Sequence, residues 1–194
     1  MQVADIFMLG AKITQLGMDQ RKLNMLAREI GPLLGFWKPV VVSHHMLMGL
    51  GKPPEHSEDK VKRTIEMKMS KSHPDTAIFM TDTTEDIQRK INKAWCLEGE
   101  VKDNPVLEYC KYIIFERVDS ITIKRPEKFG GNLTIKSYGE LEKKFADKEI
   151  HPQDLKVSVA SELDKLLQPV RQHFENNPYA KKLLEEVKFF QVTR

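Results

Sequence analysis

Two lysines flanked by hydroxyl groups are the residues of this 194-residue sequence that most suggest chemistry. The string Lys68-Met69-Ser70-Lys71-Ser72 follows a stretch rich in Gly, Pro, Lys and Glu. Lysines can neutralise the charge that develops on a leaving pyrophosphate, and hydroxyl groups can donate hydrogen bonds to its oxygens. The string therefore indicates a polyphosphate site, while a solvated basic loop explains these five residues equally well by themselves.

A second pattern combines an aromatic ring, several cations and a carboxylate. Phe129 lies in a glycine-rich turn after Lys124, Arg125 and Lys128, and Asp154 lies in the first turn of a predicted helix. Proteins recognise single-stranded RNA by stacking its bases on aromatic rings and by hydrogen bonds to base edges. The pattern suits an RNA loop, and its structural alternatives are a core phenylalanine and an acid that stabilises a helix N-terminus.

The first 80 residues are predicted to be α/β. Hydrophobic periodicity predicts a helix over 1–9, a strand over 11–16, a helix over 18–30 that Gly31 and Pro32 end, and a strand over 38–44. The run of valines at 40–42 is typical of a parallel strand covered on both faces. Strand, helix and strand together predict a βαβ unit.

The remainder is predicted to be mainly α-helical. Capping residues predict helices over 84–95, 105–115 and 138–146 and from residues 152 and 178 onwards, and Pro169 is expected to kink the fourth of these. A short strand is expected over 76–80, and 118–136 is expected to be irregular. We therefore expect the domain boundary near residue 82.

Composition indicates a globular protein of a reducing compartment. Hydrophobic residues make up 40% and charged residues 30%, and the formal charge of +3 permits a polyanionic partner without requiring one. No apolar run approaches the roughly 18 residues of a membrane span. The two cysteines are too few for a disulfide framework or a zinc site. These features favour a cytoplasmic location and no membrane partner.

Several long segments resemble the archaeal and eukaryotic tyrosyl-tRNA synthetases. KMSKS is the second signature motif of class I aminoacyl-tRNA synthetases, and the similarity extends to MQVADIFMLGAKITQLGMDQRKLNMLARE, TIKRPEKFGGNLTIKSYGELEKKF, HPQDLKVSVASELDKLLQPVRQHF and the VTR end. The resemblance implies the second half of a Rossmann-like catalytic domain over 1–82, with the KMSKS loop, and an α-helical anticodon-binding domain over 83–194.

The first class I motif, a HIGH-type sequence, is not recognisable. The nearest string, His44-His45-Met46-Leu47, follows the wrong predicted strand. We therefore expect this chain to be the C-terminal part of a synthetase and to be inactive by itself.

The resemblance also implies roles for individual residues in catalysis. Gln2, Asp5 and Gln20 match positions of the tyrosine pocket, where the aspartate takes the phenolic hydroxyl and the glutamines help to hold the hydroxyl and the α-ammonium. Without the resemblance, Asp5 is better explained as a first-turn acid and Gln20 as a solvated helix residue. Lys68 and Lys71 are the expected catalytic residues, and Lys68-Met69-Ser70-Lys71-Ser72 is the expected ATP-binding loop.

In the second part, Phe129 and Asp154 match positions that stack on and recognise the first anticodon base, with Lys128 beside them. The implied activity is ATP-dependent attachment of L-tyrosine to tRNA(Tyr) through tyrosyl-adenylate. Magnesium is expected to accompany ATP, although no carboxylate cluster marks its site. The parent enzyme is expected to be a homodimer through a region outside this chain.

Two other functions remain open at this point. Tryptophanyl-tRNA synthetase is the alternative within the class, because its KMSKS loop also leads into a strand like Ile78-Phe79. A non-catalytic tRNA-binding module is the alternative outside it, because the HIGH-type half is not recognisable.

Overall fold

The computed structural model describes residues 1–54, 67, 69 and 73–190. The chain forms two compact units: Met1–Met48 with Pro54–Lys68, and Gly49–Pro53 with Met69–Arg194. We call them the first unit and the second unit. The domain boundary expected near residue 82 stays a prediction.

The first unit contains the predicted βαβ arrangement. Its elements are helix α1 (Gln2–Met8), strand β1 (Ile13–Gly17), a 3₁₀ turn (Met18–Gln20), helix α2 (Arg21–Leu33) and strand β2 (Val40–His44). Strands β1 and β2 are parallel, with Ile13 opposite Val40 and Gly17 opposite His44. This pairing confirms the βαβ prediction.

Helix α2 does not end at Gly31 and Pro32 as predicted, because it continues to Leu33. Gly31 serves packing instead: a Cβ atom at this position would lie 2.7 Å from the Trp37 carbonyl oxygen and 2.9 Å from the Phe7 ring. The Phe7 ring in turn stacks on Phe36 at 4.7 Å. The glycine is therefore required for a close approach rather than for a helix end.

The valine run of β2 is not covered on both faces among the described residues, so that prediction is wrong for this structure. The Val40 side chain is 55% exposed, and its neighbours on both strands, Val42 and Ile13, are exposed as well. The first unit therefore presents apolar strand surface that its described residues leave open.

The second unit contains five helices among the described residues. They are α3 (Thr84–Lys93), α4 (Pro105–Tyr109), α5 (Tyr138–Ala146), α6 (Pro152–Asn176) and α7 (Pro178–Phe189). Predicted caps are confirmed at three starts, where the side-chain oxygens of Thr83, Asn104 and Ser137 accept main-chain N–H bonds. Helix α6 continues through Pro169, and the kink expected there stays a prediction.

Two irregular regions differ from the predictions. Residues 118–136 contain an antiparallel hairpin of β3 (Ile121–Ile123) and β4 (Leu133–Ile135). Residues 76–80 form no strand, because a 3₁₀ turn occupies Pro74–Thr76 and the Phe79 N–H donates to the Asp82 carboxylate at 2.9 Å. A side chain thus replaces the strand partner that this segment would need.

The core of the second unit lies where α3, α4, α6 and the hairpin meet. Its fully enclosed side chains include those of Ile87, Leu107, Ile123, Phe145 and Leu155. In the described ranges, no helix is long and apolar enough to cross a membrane.

Candidate functional site

A cavity of about 340 Å³ in the first unit brings together the three residues predicted to hold tyrosine. Gln2 and Asp5 line it from α1, and Gln20 lines it from the turn that leads into α2. Gln2 and Asp5 share one helix face because they are three residues apart. Its apolar lining includes Ile6 and Leu23, so the cavity combines an apolar wall with a few polar groups, as small-molecule sites do.

Hydrogen bonds limit what the polar groups around the cavity can offer. The Gln20 amide nitrogen donates to the Asp19 carboxylate at 3.1 Å, which leaves its carbonyl oxygen to accept from a ligand. The buried Thr14 hydroxyl also lines the cavity and donates to the Val40 carbonyl at 3.4 Å. The carboxylate of Asp5 is exposed on the open side. The cavity therefore offers acceptors for the donors of an amino acid, and the Gln2 carboxamide in its lining adds N–H donors.

Sequence reasoning missed one cavity residue, Asn24. Its side chain is 1% exposed, and neither its amide nitrogen nor its amide oxygen has a hydrogen-bond partner within the described part of the chain. An isolated asparagine among apolar residues of an amphipathic helix was the available signal. It lies one helical turn after Gln20, on the same face of α2.

Of the KMSKS motif, only Met69 falls within the described residues, and Lys68, Ser70, Lys71 and Ser72 lie outside them. The Met69 sulfur accepts a bond from the Tyr109 hydroxyl at 3.6 Å. Burial raises the pKa of Tyr109, so the hydroxyl keeps its proton. The methionine of the motif is thereby held against the core of the second unit.

The segment after the motif is fixed by a buried ion pair. The Lys90 ammonium is 3% exposed, lies 2.6 Å from the Asp82 carboxylate and donates to the Ala77 carbonyl at 2.9 Å. It also lies 4.6 Å from the centre of the Phe79 ring. Since one lysine binds three parts of residues 77–82, this segment is well anchored.

The predicted anticodon residues lie on two elements of the second unit. Phe129 ends a 3₁₀ turn between β3 and β4, and its ring is 61% exposed with the Lys128 ammonium 4.8 Å from its centre. Asp154 lies in the first turn of α6, and no described residue donates a hydrogen bond to its carboxylate. An exposed ring and an unengaged carboxylate are both free to meet a base.

Arg125 has a role that the sequence did not indicate. Its guanidinium donates to the Gly131 carbonyl at 3.0 Å and to the Glu149 carbonyl at 2.9 Å. Two nitrogens of the guanidinium are thereby engaged in contacts within the second unit. Arg125 connects the turn that carries Phe129 to the segment just before α6.

No group of three His, Cys, Asp or Glu side chains that could hold a metal ion occurs in the parts of the chain that the structure describes. We therefore assign magnesium to no residue.

Comparison with known proteins places this chain in a family. Residues 1–168 match the family model described as tRNA synthetases class I (W and Y). The tyrosine–tRNA ligase of Thermococcus sibiricus is 45% identical over all of this chain and 55% of its own length. Cytoplasmic tyrosine–tRNA ligase 1 of Arabidopsis thaliana is 47% identical over all of this chain and 48% of its own length.

A solved structure agrees with these relatives. The tyrosyl-tRNA synthetase of Pyrococcus horikoshii, determined in complex with L-tyrosine, is 42% identical with a TM-score of 0.85, and the match covers 95% of this chain and 54% of that one. The chain spans about half the length of the curated relatives it matches. From the family match and these relatives, the chain belongs to the class I tRNA synthetases of the tryptophan and tyrosine group.

Proposed function

We propose that this chain supplies part of the tyrosine site and the anticodon-binding domain of an enzyme that attaches L-tyrosine to tRNA(Tyr). The observation that carries the proposal is the cavity in which Gln2, Asp5 and Gln20, predicted as tyrosine ligands, come together. The L-tyrosine bound by the P. horikoshii relative supports the same substrate here. Residues 1–82 would be the second half of a Rossmann-like fold, and residues 83–194 the anticodon-binding domain.

Tyrosine recognition follows from the groups that line the cavity. The Asp5 carboxylate accepts the phenolic O–H, and the free Gln20 carbonyl accepts from the α-ammonium. Phenylalanine would fill the same space but leave the Asp5 carboxylate without its donor, which costs free energy where the bound ring excludes water from the carboxylate. The cavity therefore favours a phenol over a plain ring.

The reaction needs no covalent enzyme intermediate. The tyrosine carboxylate attacks the α-phosphate of ATP, giving tyrosyl-adenylate and pyrophosphate, and the terminal ribose hydroxyl of the tRNA then takes the tyrosyl group. The protein positions the reactants and stabilises developing charge. Lys68 and Lys71 would stabilise the charge on pyrophosphate, with Ser70 and Ser72 donating to its oxygens, and no step here depends on a magnesium ligand from this chain.

Recognition of tRNA is assigned to the second unit. The exposed Phe129 ring supplies a stacking surface for the first anticodon base, and the Asp154 carboxylate accepts from the N1–H and the 2-amino group of guanine. Lys128 would contact phosphate and contribute affinity without choosing sequence.

Tyrosine-dependent exchange of pyrophosphate into ATP tests the proposal in the synthetase that contains this chain. Lys68→Ala and Lys71→Ala should each lower the exchange rate by about 10²–10³-fold with a smaller effect on tyrosine binding, because their contacts form chiefly in the transition state. Lys124→Ala, which removes an exposed charge from the second unit, is the control and should leave exchange unchanged.

Three other outcomes would count against the proposal. Exchange that depends on tryptophan and not on tyrosine would assign the other amino acid of the family. Unchanged kinetics in both KMSKS variants would make Lys68 and Lys71 solvated loop residues. Exchange by the isolated 194-residue chain would contradict the expectation that it is inactive alone.

A further inference from the structure

Asn24 is the one side chain of the described residues whose buried amide nitrogen and oxygen both lack a hydrogen-bond partner. It lines the same cavity as Asp5 and Gln20. A buried carboxamide without partners is costly, so native structures normally satisfy such groups with protein, water or ligand. We therefore expect the Asn24 carboxamide to form a hydrogen bond with a group that the described residues do not supply.

The other polar groups of the cavity indicate what Asn24 adds. An ionised Asp5 carboxylate accepts hydrogen bonds and has none to donate. The Gln20 amide nitrogen already donates to the Asp19 carboxylate. The Thr14 hydroxyl donates to the Val40 carbonyl. The Gln2 and Gln15 carboxamides also line the cavity and carry N–H donors, but both residues are exposed, whereas the Asn24 carboxamide holds its two N–H donors in an enclosed position.

A phenolic oxygen needs both kinds of partner, since its O–H donates while its lone pairs accept. We propose that Asn24 donates an N–H bond to the phenolic oxygen of the amino-acid substrate whose O–H is accepted by Asp5. The inference rests on the proposed function of the cavity. It makes Asn24 a second determinant of the choice between tyrosine and phenylalanine.

Two features favour the phenolic oxygen over the other acceptor of the substrate, the carboxylate. The carboxylate is the nucleophile of the first step and has to face ATP, whereas Asn24 is enclosed, with 1% exposure. The terminal torsion of an asparagine side chain is broad, so its carboxamide can turn toward the cavity without a change in the helix backbone.

The test compares Asn24→Leu with wild type in the synthetase that contains this chain, using tyrosine- and phenylalanine-dependent pyrophosphate exchange. We expect kcat/KM for tyrosine to fall by about tenfold, the effect of one lost hydrogen bond, while the value for phenylalanine is unchanged. The tyrosine-to-phenylalanine ratio therefore falls by the same factor. Glu29→Leu, an exposed change on the same helix, should leave this ratio unchanged.

Thermal unfolding without amino acid separates this role from a structural one. Leucine removes the unsatisfied carboxamide at similar volume, so the melting temperature of Asn24→Leu should be unchanged or higher. Asn24→His should retain the preference for tyrosine, because a neutral imidazole still has one N–H donor.

The inference would be overturned if tyrosine and phenylalanine activity fall together, if neither falls, or if Asn24→Leu fails to fold or melts lower, since the carboxamide would then bind within the protein. A wild-type enzyme that shows no tyrosine-dependent exchange would refute the proposed function itself. A wild type that is active, with unchanged selectivity in Asn24→Leu, would refute only the role of Asn24.

Discussion

The two units differ in how far they bury the β-branched side chains of their strands. In the second unit, the isoleucines of the hairpin face a closed core, and Ile123 is 0% exposed. In the first unit, the equivalent residues of β1 and β2 stay largely open to solvent, and an asparagine is buried without a partner. The hairpin of the second unit therefore buries its isoleucines in a core, whereas the strands in the described part of the first unit leave most of their apolar side chains exposed.

This difference bears on function. A closed core supports a rigid surface, which suits a domain that recognises a base with an exposed ring and a carboxylate. An open cavity that contains a polar side chain without a hydrogen-bond partner suits a site that is completed by substrate and by further protein.

Truncation of a core side chain should give the largest contrast between the units. Phe145→Ala in the second unit should lower the free energy of unfolding by about 3–5 kcal/mol, because it leaves a cavity in a fully buried position. Val40→Ala in the first unit should change it by less than about 0.5 kcal/mol, because Val40 is already half exposed. Urea unfolding of the chain measures both values, and equal losses would remove the contrast.

Breaking the buried ion pair should have the next largest effect. Lys90→Met keeps most of the side-chain volume but leaves the Asp82 carboxylate with only the Phe79 N–H as a partner, which should cost roughly 2–3 kcal/mol. The double variant Asp82→Asn with Lys90→Met should recover part of this loss, because no unpaired charge remains. If Lys90→Met unfolds at the same urea concentration as wild type, the pair does not anchor the segment after the KMSKS motif.

Removal of the Arg125 connection should weaken RNA binding rather than stability. Arg125→Ala frees the Phe129 turn from the Glu149 carbonyl, so the turn has to be ordered on binding, and affinity for an anticodon stem-loop should fall by about tenfold. Arg125→Lys should not restore it, since one ammonium cannot replace a guanidinium fork. Lys124→Ala removes the same charge without the connection, and equal losses at every salt concentration would show that charge alone matters.

The smallest effect concerns an exposed cluster in the second unit. Hydrogen bonds from Arg89 hold the pKa of Asp75 and of Asp86 below the usual value of 3.8. A carboxyl whose pKa is lowered on folding adds stability above pH 3.8, and this contribution is lost as pH falls through the lowered value. In Arg89→Gln, the free energy of unfolding should therefore fall slightly less steeply as the pH is lowered below 3.8. A dependence on pH as steep as that of wild type would contradict this.

Local sequence signals predicted most elements correctly because their causes are local. Thr83, Asn104 and Ser137 begin helices by capping main-chain N–H groups within three residues of themselves. The hairpin of β3 and β4 was missed because each strand has only three residues, and its glycine pair was taken only as a turn. Alternation in Ile121–Ile123 and Leu133–Ile135 on either side of that pair was the unused signal.

The candidate site shows the limit of sequence reasoning more sharply. Gln2, Asp5 and Gln20 could be named only through resemblance, because the sequence does not indicate that helix α1 and the turn before α2 bring them to one cavity. The isolated asparagine of an amphipathic helix was the one signal for Asn24, and it does not reveal that the side chain lacks partners. The role of Arg125 could not be inferred, because it depends on a contact with Glu149, which the sequence does not place nearby.

The division of labour between the two units can be tested directly by pyrophosphate exchange in two matched isosteric variants of the synthetase. Asp5→Asn replaces the charged acceptor of the phenolic hydroxyl with a weaker, neutral carboxamide and should reduce tyrosine-dependent exchange strongly. Asp154→Asn alters the proposed guanine contact and should exchange at the wild-type rate, while losing its preference for guanine at the first anticodon position in aminoacylation. Equal exchange rates in the two variants, or a loss confined to Asp154→Asn, would contradict the assignment of tyrosine to the first unit and of the anticodon to the second.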